Sequence, residues 1–146
     1  MLGYNFKLEK VLKYKKDIES VKKGVLGNIS NKLDMEEDKL INYNEQRNEL
    51  INEKNVIQQK TDIRSLKSYN NYLESITKDI KEQEKLIDNI NFELENAKKE
   101  LLKAVKEKKT LEKLKEKGSN QFVKEMEKKQ EKLIDNIVSF KNISQK

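Results

Sequence analysis

The sequence predicts an all-α fold, a long two-helix antiparallel coiled-coil hairpin that forms a single domain over residues 1–146. Three observations predict it. Apolar residues recur at spacings of three and four along most of the chain, only 34% of the residues are apolar while 40% are charged, and there is no Pro and only four Gly. A narrow apolar stripe on charged helices is typical of a coiled coil, in which the seam between the helices is the main buried surface.

The first helix is predicted over about residues 6–58, with one irregularity in its apolar stripe. The stripe slips by one residue between Val25 and Ile29, in a stretch that also contains Gly24 and Gly27. Because each glycine costs a helix about 1 kcal/mol relative to alanine, this stretch is either a tolerated irregularity or a site of close approach. The predicted stripe consists of Val11, Tyr14, Ile18, Val21, Val25, Ile29, Leu33, Leu40, Tyr43, Leu50 and Ile57.

The apex of the hairpin is predicted at about residues 59–65, where the apolar rhythm is broken and Thr61 or Asp62 is a plausible N-cap. The second helix is predicted over about residues 66–141. Its seam consists of Leu66, Tyr69, Leu73, Ile76, Ile80, Gln83, Ile87, Ile90, Leu94, Ala97, Leu101, Ala104 and Leu111.

Polar residues also fall on seam positions of both helices. Long polar side chains can lie along a seam with their charged ends in water, and they lower stability while helping to fix the register. These residues are Glu36, Arg47, Lys54, Lys108 and Lys115.

The C-terminal part of the chain has two possible structures. A break near Gly118 would end one helix and let Ser119 cap the next. The apolar residues beyond it belong either to an overhang that the first helix is too short to cover, or to a covered segment if the apex lies further along the chain. An exposed apolar stripe usually marks a binding site. These residues are Phe122, Met126, Leu133, Ile137 and Phe140.

The composition excludes several classes of function. There is no His to act as a general base, no Cys and no glycine-rich phosphate loop, so we expect no enzyme, no cofactor and no metal site. No apolar run approaches the roughly 20 residues of a membrane span. The N-terminus lacks the apolar core of a signal peptide, so the cytoplasm is the expected location.

Residues 98–117 form a basic run with nine Lys and four Glu. A solvated helix face is the favoured interpretation, an acidic protein partner is the second and a nucleic acid the third. Nucleic acid is disfavoured because the run lacks aromatic residues and the whole chain has only two Arg, Arg47 and Arg64.

Four blocks in order along the chain resemble the FliJ family of flagellar export proteins. They are YNFKLEKVLKYKKDIE (4–19), DIRSLKSYNNYLESITKDIKEQ (62–83), LLKAVKEKKTLEKLKEK (101–117) and EKLIDNI (131–137). The resemblance implies a soluble, non-catalytic coiled coil that lies at the cytoplasmic face of the membrane through the flagellar type III export apparatus. It also implies three partners: the hexameric export ATPase, whose ring assembly it promotes, the cytoplasmic domain of the export-gate membrane protein, and export chaperones. Neither nucleic acid nor direct membrane insertion is implied.

The resemblance also implies two sets of partner-binding residues. The ATPase contact falls on the paired N- and C-terminal ends, at Phe6, Val11, Phe122, Met126, Leu133, Ile137 and Phe140. The export-gate contact falls on Leu40, Tyr43, Leu50, Tyr72 and Ile76. Tyr72 lies just off the seam, where it is either a partner anchor or a packed staple of the apex, and Asp79 and Gln83 make the gate face more polar than the family pattern.

Other functions stay open from the residues alone. One is a structural or scaffold coiled coil without an export role, and another is a helical protein associated with nucleic acid. A third is the stalk of a related virulence secretion system, which only the family blocks distinguish from a flagellar one.

Overall fold

The computed structural model describes residues 3–58 and 63–144, and these residues form two long α-helices without a strand. The first, α1, spans Glu9–Ile57, and the second, α2, spans Ile63–Ser144. The two helices pack on each other, which confirms the predicted all-α hairpin. Most of the predicted apex lies outside the described residues, and Ile63 already belongs to α2.

The contacts divide the chain into two compact units, each containing a segment of α1 and a segment of α2. Unit 1 consists of Met1–Ser20 and Leu102–Lys146, and unit 2 consists of Val21–Leu101. That the chain is a single domain stays a prediction. Within residues 3–58 and 63–144, neither helix contains an uncharged apolar stretch of the length that a membrane span needs.

In unit 2 the seam is mostly apolar. The α2 side follows the predicted positions closely, because Leu and Ile occupy nearly all of them at alternating spacings of three and four. Its buried members are Ile76, Ile80, Gln83, Ile87, Ile90 and Ala97. The α1 side contributes half-buried residues at the same spacings, namely Leu26, Ile29, Leu33, Glu36, Leu40, Tyr43, Leu50, Lys54 and Ile57. Arg47, predicted on this seam, is exposed.

The predicted stripe at the start of α1 is wrong. Its members Val11, Tyr14, Val21 and Val25 are exposed, whereas Leu12 is almost completely buried. The seam runs instead through Leu12, Lys15, Glu19, Lys22, Leu26 and Ile29, which are buried or half-buried, and Ile18 of the predicted stripe is half-buried beside it. Their spacings alternate without a slip. The reason for the error is physical: charged residues occupy the true seam here, so a stripe traced through apolar residues moves to the neighbouring positions.

The three glycines within the helices have different environments. Gly24 and Gly27 are exposed within α1 and a Cβ at either would contact nothing, so this stretch is not a site of close approach. Gly118 is half-buried, and a Cβ there would overlap the Tyr4 hydroxyl and lie 2.8 Å from Tyr4 Cζ. Helix α2 continues through residue 118 without the break that the sequence allowed. The absence of a side chain at Gly118 leaves space for the Tyr4 ring.

Candidate partner-binding surfaces

The C-terminal part of α2 carries an apolar face that no described residue covers. Every residue from 123 to 143 is exposed, although the segment is helical throughout. We call the predicted residues within it the C-terminal stripe: Met126, Leu133, Ile137 and Phe140. Because α2 begins at Ile63, the overhang is the alternative that the structure supports.

The C-terminal stripe lies on one side of the helix. With 3.6 residues per turn, its four members fall within about 60° of arc. Further exposed apolar residues widen this face, namely Val123, Ile134, Val138 and Ile143. An apolar face more than about 100° wide is what a helix presents to a packed neighbour. Left open to water, such a face is a candidate interaction surface.

Two of the predicted ATPase-end residues pack in an aromatic cluster at the base of this stripe. The Tyr4 ring lies 5.9 Å from the Phe122 ring and 6.5 Å from the Phe6 ring, centroid to centroid, in tilted arrangements. All three side chains are half-buried. Phe6 and Phe122 therefore hold the N-terminal segment against α2, while Val11 is partly exposed on α1.

The sequence analysis missed Tyr4 as a structural residue. The feature that could have identified it is Gly118, which occupies a seam position in a helix that does not end there. A glycine at such a position indicates that a bulky group approaches the helix closely. The aromatic residues of the N-terminal segment are the candidates for that group.

Ion pairs between α1 and α2 hold unit 1 together. Lys108 and Glu19 lie 2.6 Å apart at the most buried of these pairs, and Lys15 and Glu107 lie 2.9 Å apart. A third, more exposed pair joins Lys115 and Glu9 at 2.9 Å. These pairs favour the observed register of the two helices, because a slip of one turn would separate every pair.

These pairs shift the protonation of their members. The hydrogen bond from Lys15 lowers the pKa of Glu107, and the one from Lys115 lowers the pKa of Glu9. In the remaining pair, the hydrogen bond to Glu19 raises the pKa of Lys108. Each shift favours the charged form of its group. Within the described residues, no group of three or more acidic side chains is placed to hold a metal ion.

The predicted export-gate residues lie in unit 2, with very different exposure. Tyr72 is 65% exposed, whereas Ile76 is buried in the seam. Leu40, Tyr43 and Leu50 are half-buried. Tyr72 is therefore the member of this set whose side chain is most exposed to solvent.

Tyr72 lines a shallow groove near the end of α1. The Tyr69 hydroxyl donates a 3.4 Å hydrogen bond to Glu53, and partial burial together with the Glu53 charge raises the pKa of Tyr69. Leu50 forms part of the floor, and the remaining lining residues are Arg64, Ser65 and Ser68. The groove combines an aromatic ring, an aliphatic side chain and charged groups of both signs.

Only one of the two residues predicted to make the gate face polar lies on the surface. Asp79 is exposed, but Gln83 is buried in the seam and does not contribute to the surface. The Gln83 amide donates to the Glu36 carbonyl oxygen at 2.9 Å and to the Glu36 carboxylate at 2.5 Å. The hydrogen bond from the Gln83 amide to the Glu36 carboxylate lowers the pKa of Glu36. Gln83 therefore satisfies a polar residue of α1 inside the seam.

Comparisons with known proteins agree with this architecture. A protein-family model described as "Flagellar FliJ protein" matches residues 4–146. The solved structure of a putative YscO homologue from Chlamydia trachomatis is similar to this chain with a TM-score of 0.59. The match has 23% sequence identity and covers 96% of this chain and 94% of the other, so it supports the fold. No curated protein matches the chain.

Proposed function

Because this chain belongs to the FliJ family of flagellar proteins, a non-enzymatic component of type III export, we propose that it acts as a stalk of the flagellar export apparatus. In this role it binds the hexameric export ATPase, promotes assembly of the ATPase ring and contacts the export gate. It lies at the cytoplasmic face of the membrane through these partners, and it also contacts export chaperones.

The uncovered apolar face of α2 supports the ATPase contact. The C-terminal stripe belongs to a helix that has no packing partner beyond Phe122 among the described residues. A helix with a wide apolar face and no neighbour is well suited to enter a groove or channel of a larger partner. Binding would bury that face, and the released water would favour the complex.

The Tyr72 groove supports the gate contact. Partner anchors are enriched in Tyr, which combines a large apolar ring with a polar group at its end. Tyr72 has this exposure, and Leu50 and Tyr69 provide an apolar floor beside it. A partner helix or loop could place an apolar side chain between the two tyrosines.

The test is a titration of the full chain into the export ATPase of the same organism, with ATP hydrolysis and ring formation measured together. We expect stimulation of hydrolysis and formation of hexamers. The variant Leu133→Asp/Ile137→Asp should weaken binding at least about ten-fold, because a buried apolar anchor contributes more than about 1 kcal/mol to binding. Its helix content should stay unchanged, since both side chains are exposed.

The control is Phe92→Asp, which places the same charge at an exposed aromatic position of α2 in unit 2. It should bind the ATPase as the wild-type chain does. If the wild-type chain neither binds the ATPase nor changes its hydrolysis, the proposal is wrong. A stable dimer in light scattering at low micromolar concentration would then favour a scaffold coiled coil, with the C-terminal stripe covered by a second copy.

A further inference from the structure

The outer face of α2 in unit 1 carries a row of lysines that no ion pair described above uses. We call it the lysine row: Lys103, Lys106, Lys113, Lys117, Lys124 and Lys128, all of them exposed. At 3.6 residues per turn, the six fall within about 80° of arc, on the side of α2 that faces away from the seam. They extend along roughly 40 Å of helix at 1.5 Å per residue.

The acidic residues of the same stretch lie outside this arc. Glu107 is paired with Lys15 of α1, and Glu112 is half-buried beside the seam. The others, Glu116, Glu125 and Glu127, fall on the flanks of the row by the same helical geometry. The lysine row is therefore a continuous positive strip, not a face of alternating charges that neutralise each other.

The charge of the whole chain is concentrated in the same unit. Unit 1 contains 18 Lys and 10 acidic residues, a net charge of +8. Unit 2 contains 14 Lys or Arg and 16 acidic residues, a net charge of −2. The net charge of +6 for the whole chain is therefore the sum of two units whose net charges have opposite sign. A partner with acidic groups will approach unit 1 in preference to unit 2.

The lysine row and the apolar face share one stretch of α2, from about residue 123 to residue 128, but lie on different sides of the helix. Lys124 and Lys128 each lie about 160° around the helix from Met126. A flat bilayer can cover one of these faces at a time, whereas a protein groove or channel can cover both. Lysine also acts as a point charge without the planar, bidentate geometry by which arginine reads base edges of a nucleic acid. The observations therefore favour a protein surface over a lipid surface or a nucleic acid.

We propose that the lysine row docks against a row of carboxylates on the export ATPase, on the same partner that covers the C-terminal stripe. This inference rests on the proposed function and adds the chemistry of the partner surface. The two faces have different tasks. The lysine row attracts and orients the acidic surface from a distance, while the C-terminal stripe supplies the apolar contact that keeps the complex together.

Association kinetics with the purified ATPase test this division at several salt concentrations. In the variant Lys113→Gln/Lys117→Gln/Lys124→Gln/Lys128→Gln, we expect the association rate constant at low salt to fall about ten-fold, with little change in the dissociation rate. Its rate should converge with that of the wild-type chain as salt rises, because screening removes the attraction that the variant lacks. Leu133→Asp/Ile137→Asp should instead speed dissociation.

The matched control removes the same number of charges from exposed lysines of α2 in unit 2: Lys67→Gln/Lys78→Gln/Lys81→Gln/Lys85→Gln. It should associate at nearly the wild-type rate, which separates the lysine row from net charge. If the lysine-row variant associates at the wild-type rate with the same salt dependence, this inference is wrong and the proposed function stands. If the wild-type chain does not bind the ATPase, both are wrong.

Sedimentation with phosphatidylglycerol vesicles distinguishes the lipid alternative. We expect neither the wild-type chain nor the variant to sediment at physiological salt. If the wild-type chain binds these vesicles, the variant does not, and both associate equally fast with the ATPase, the lysine row binds a membrane surface and the inference is overturned.

Discussion

Leu12 and Ile90 are the largest fully buried side chains among the described residues, one in each unit. Leu12 shows how local the burial is. Its sequence neighbour Val11 is 41% exposed, whereas Leu12 is 1% exposed. Two adjacent apolar residues on a helix lie about 100° apart, so only one of them can face the seam. Leu12 is the one fully buried apolar side chain of α1 among the described residues of unit 1, where Ile18 is half-buried and charged residues occupy the neighbouring seam positions.

We expect Leu12→Ala to lower the free energy of unfolding by about 3 kcal/mol, because it leaves a cavity in a packed site. Val11→Ala at the adjacent position should change it by less than about 1 kcal/mol, since the side chain is already partly in water. Urea denaturation followed by circular dichroism at 222 nm measures both. Equal losses for the two variants would contradict the register described for α1.

At the level of the helices, the two seams of the hairpin differ in how well the sequence predicts them. The α2 seam could be predicted because Leu and Ile occupy most of its positions from Leu66 to Leu101, and apolar spacing then reports burial directly. The seam at the start of α1 could not, because Lys15, Glu19 and Lys22 occupy it and their burial depends on charges that α2 supplies. A pairing across 78 to 92 residues has no local signature in the sequence.

The candidate surfaces follow the same logic. The C-terminal stripe could be predicted from the sequence, because the apolar repeat of the second helix extends further along the chain than the shorter first helix can cover. The separation of Ile76 from Tyr72 could not, since both lie close to the seam and only the packing of α1 decides which is buried. The Tyr4 contact with Gly118 also depends on the path of the non-helical N-terminal segment.

The ion pairs of unit 1 make its stability depend on pH. Glu107 and Glu9 have lowered pKa values in the folded chain, so their contribution is present above the usual carboxyl value of 4.5 and is lost as the pH falls through the folded value. We therefore expect the melting temperature to fall between pH 5 and pH 3 in thermal melts. The variant Glu107→Gln should have a lower melting temperature than the wild-type chain at pH 7, and its melting temperature should change less between pH 5 and pH 3.

In the alkaline range, folding stability is expected to fall as the pH rises, which is the opposite direction to the acid range. The raised pKa of Lys108 means that its contribution is complete below 10.5 and is lost as the pH rises through the folded value. The acid loss is the cleaner measurement, because many other lysines also titrate in the alkaline range. A melting temperature that is the same at pH 3 and pH 5, or an acid dependence that Glu107→Gln leaves unchanged, would show that these pairs do not contribute to folding.

On the scale of the whole molecule, the proposed function assigns stability and binding to different parts of the chain. The residues that pack α1 on α2 lie between Tyr4 and Phe122, while residues 123–143 are helical and exposed. A segment that buries almost none of its apolar surface contributes little to folding, yet it retains that surface for a partner. This separation explains how a chain with mean hydropathy of −0.99 keeps a wide apolar face.

Deletion of residues 123–146 should therefore leave the hairpin folded and remove the ATPase contact. We expect the melting temperature to change by no more than a few degrees, because Phe122 and its contact with Tyr4 are retained. Stimulation of the export ATPase should be lost, while binding to the cytoplasmic domain of the export gate should persist through the Tyr72 groove. If the truncated chain unfolds, the segment packs on the hairpin in solution. If it still stimulates the ATPase, the contact lies on the paired helices, and the lysine row between Lys103 and Lys117 becomes the surface to test.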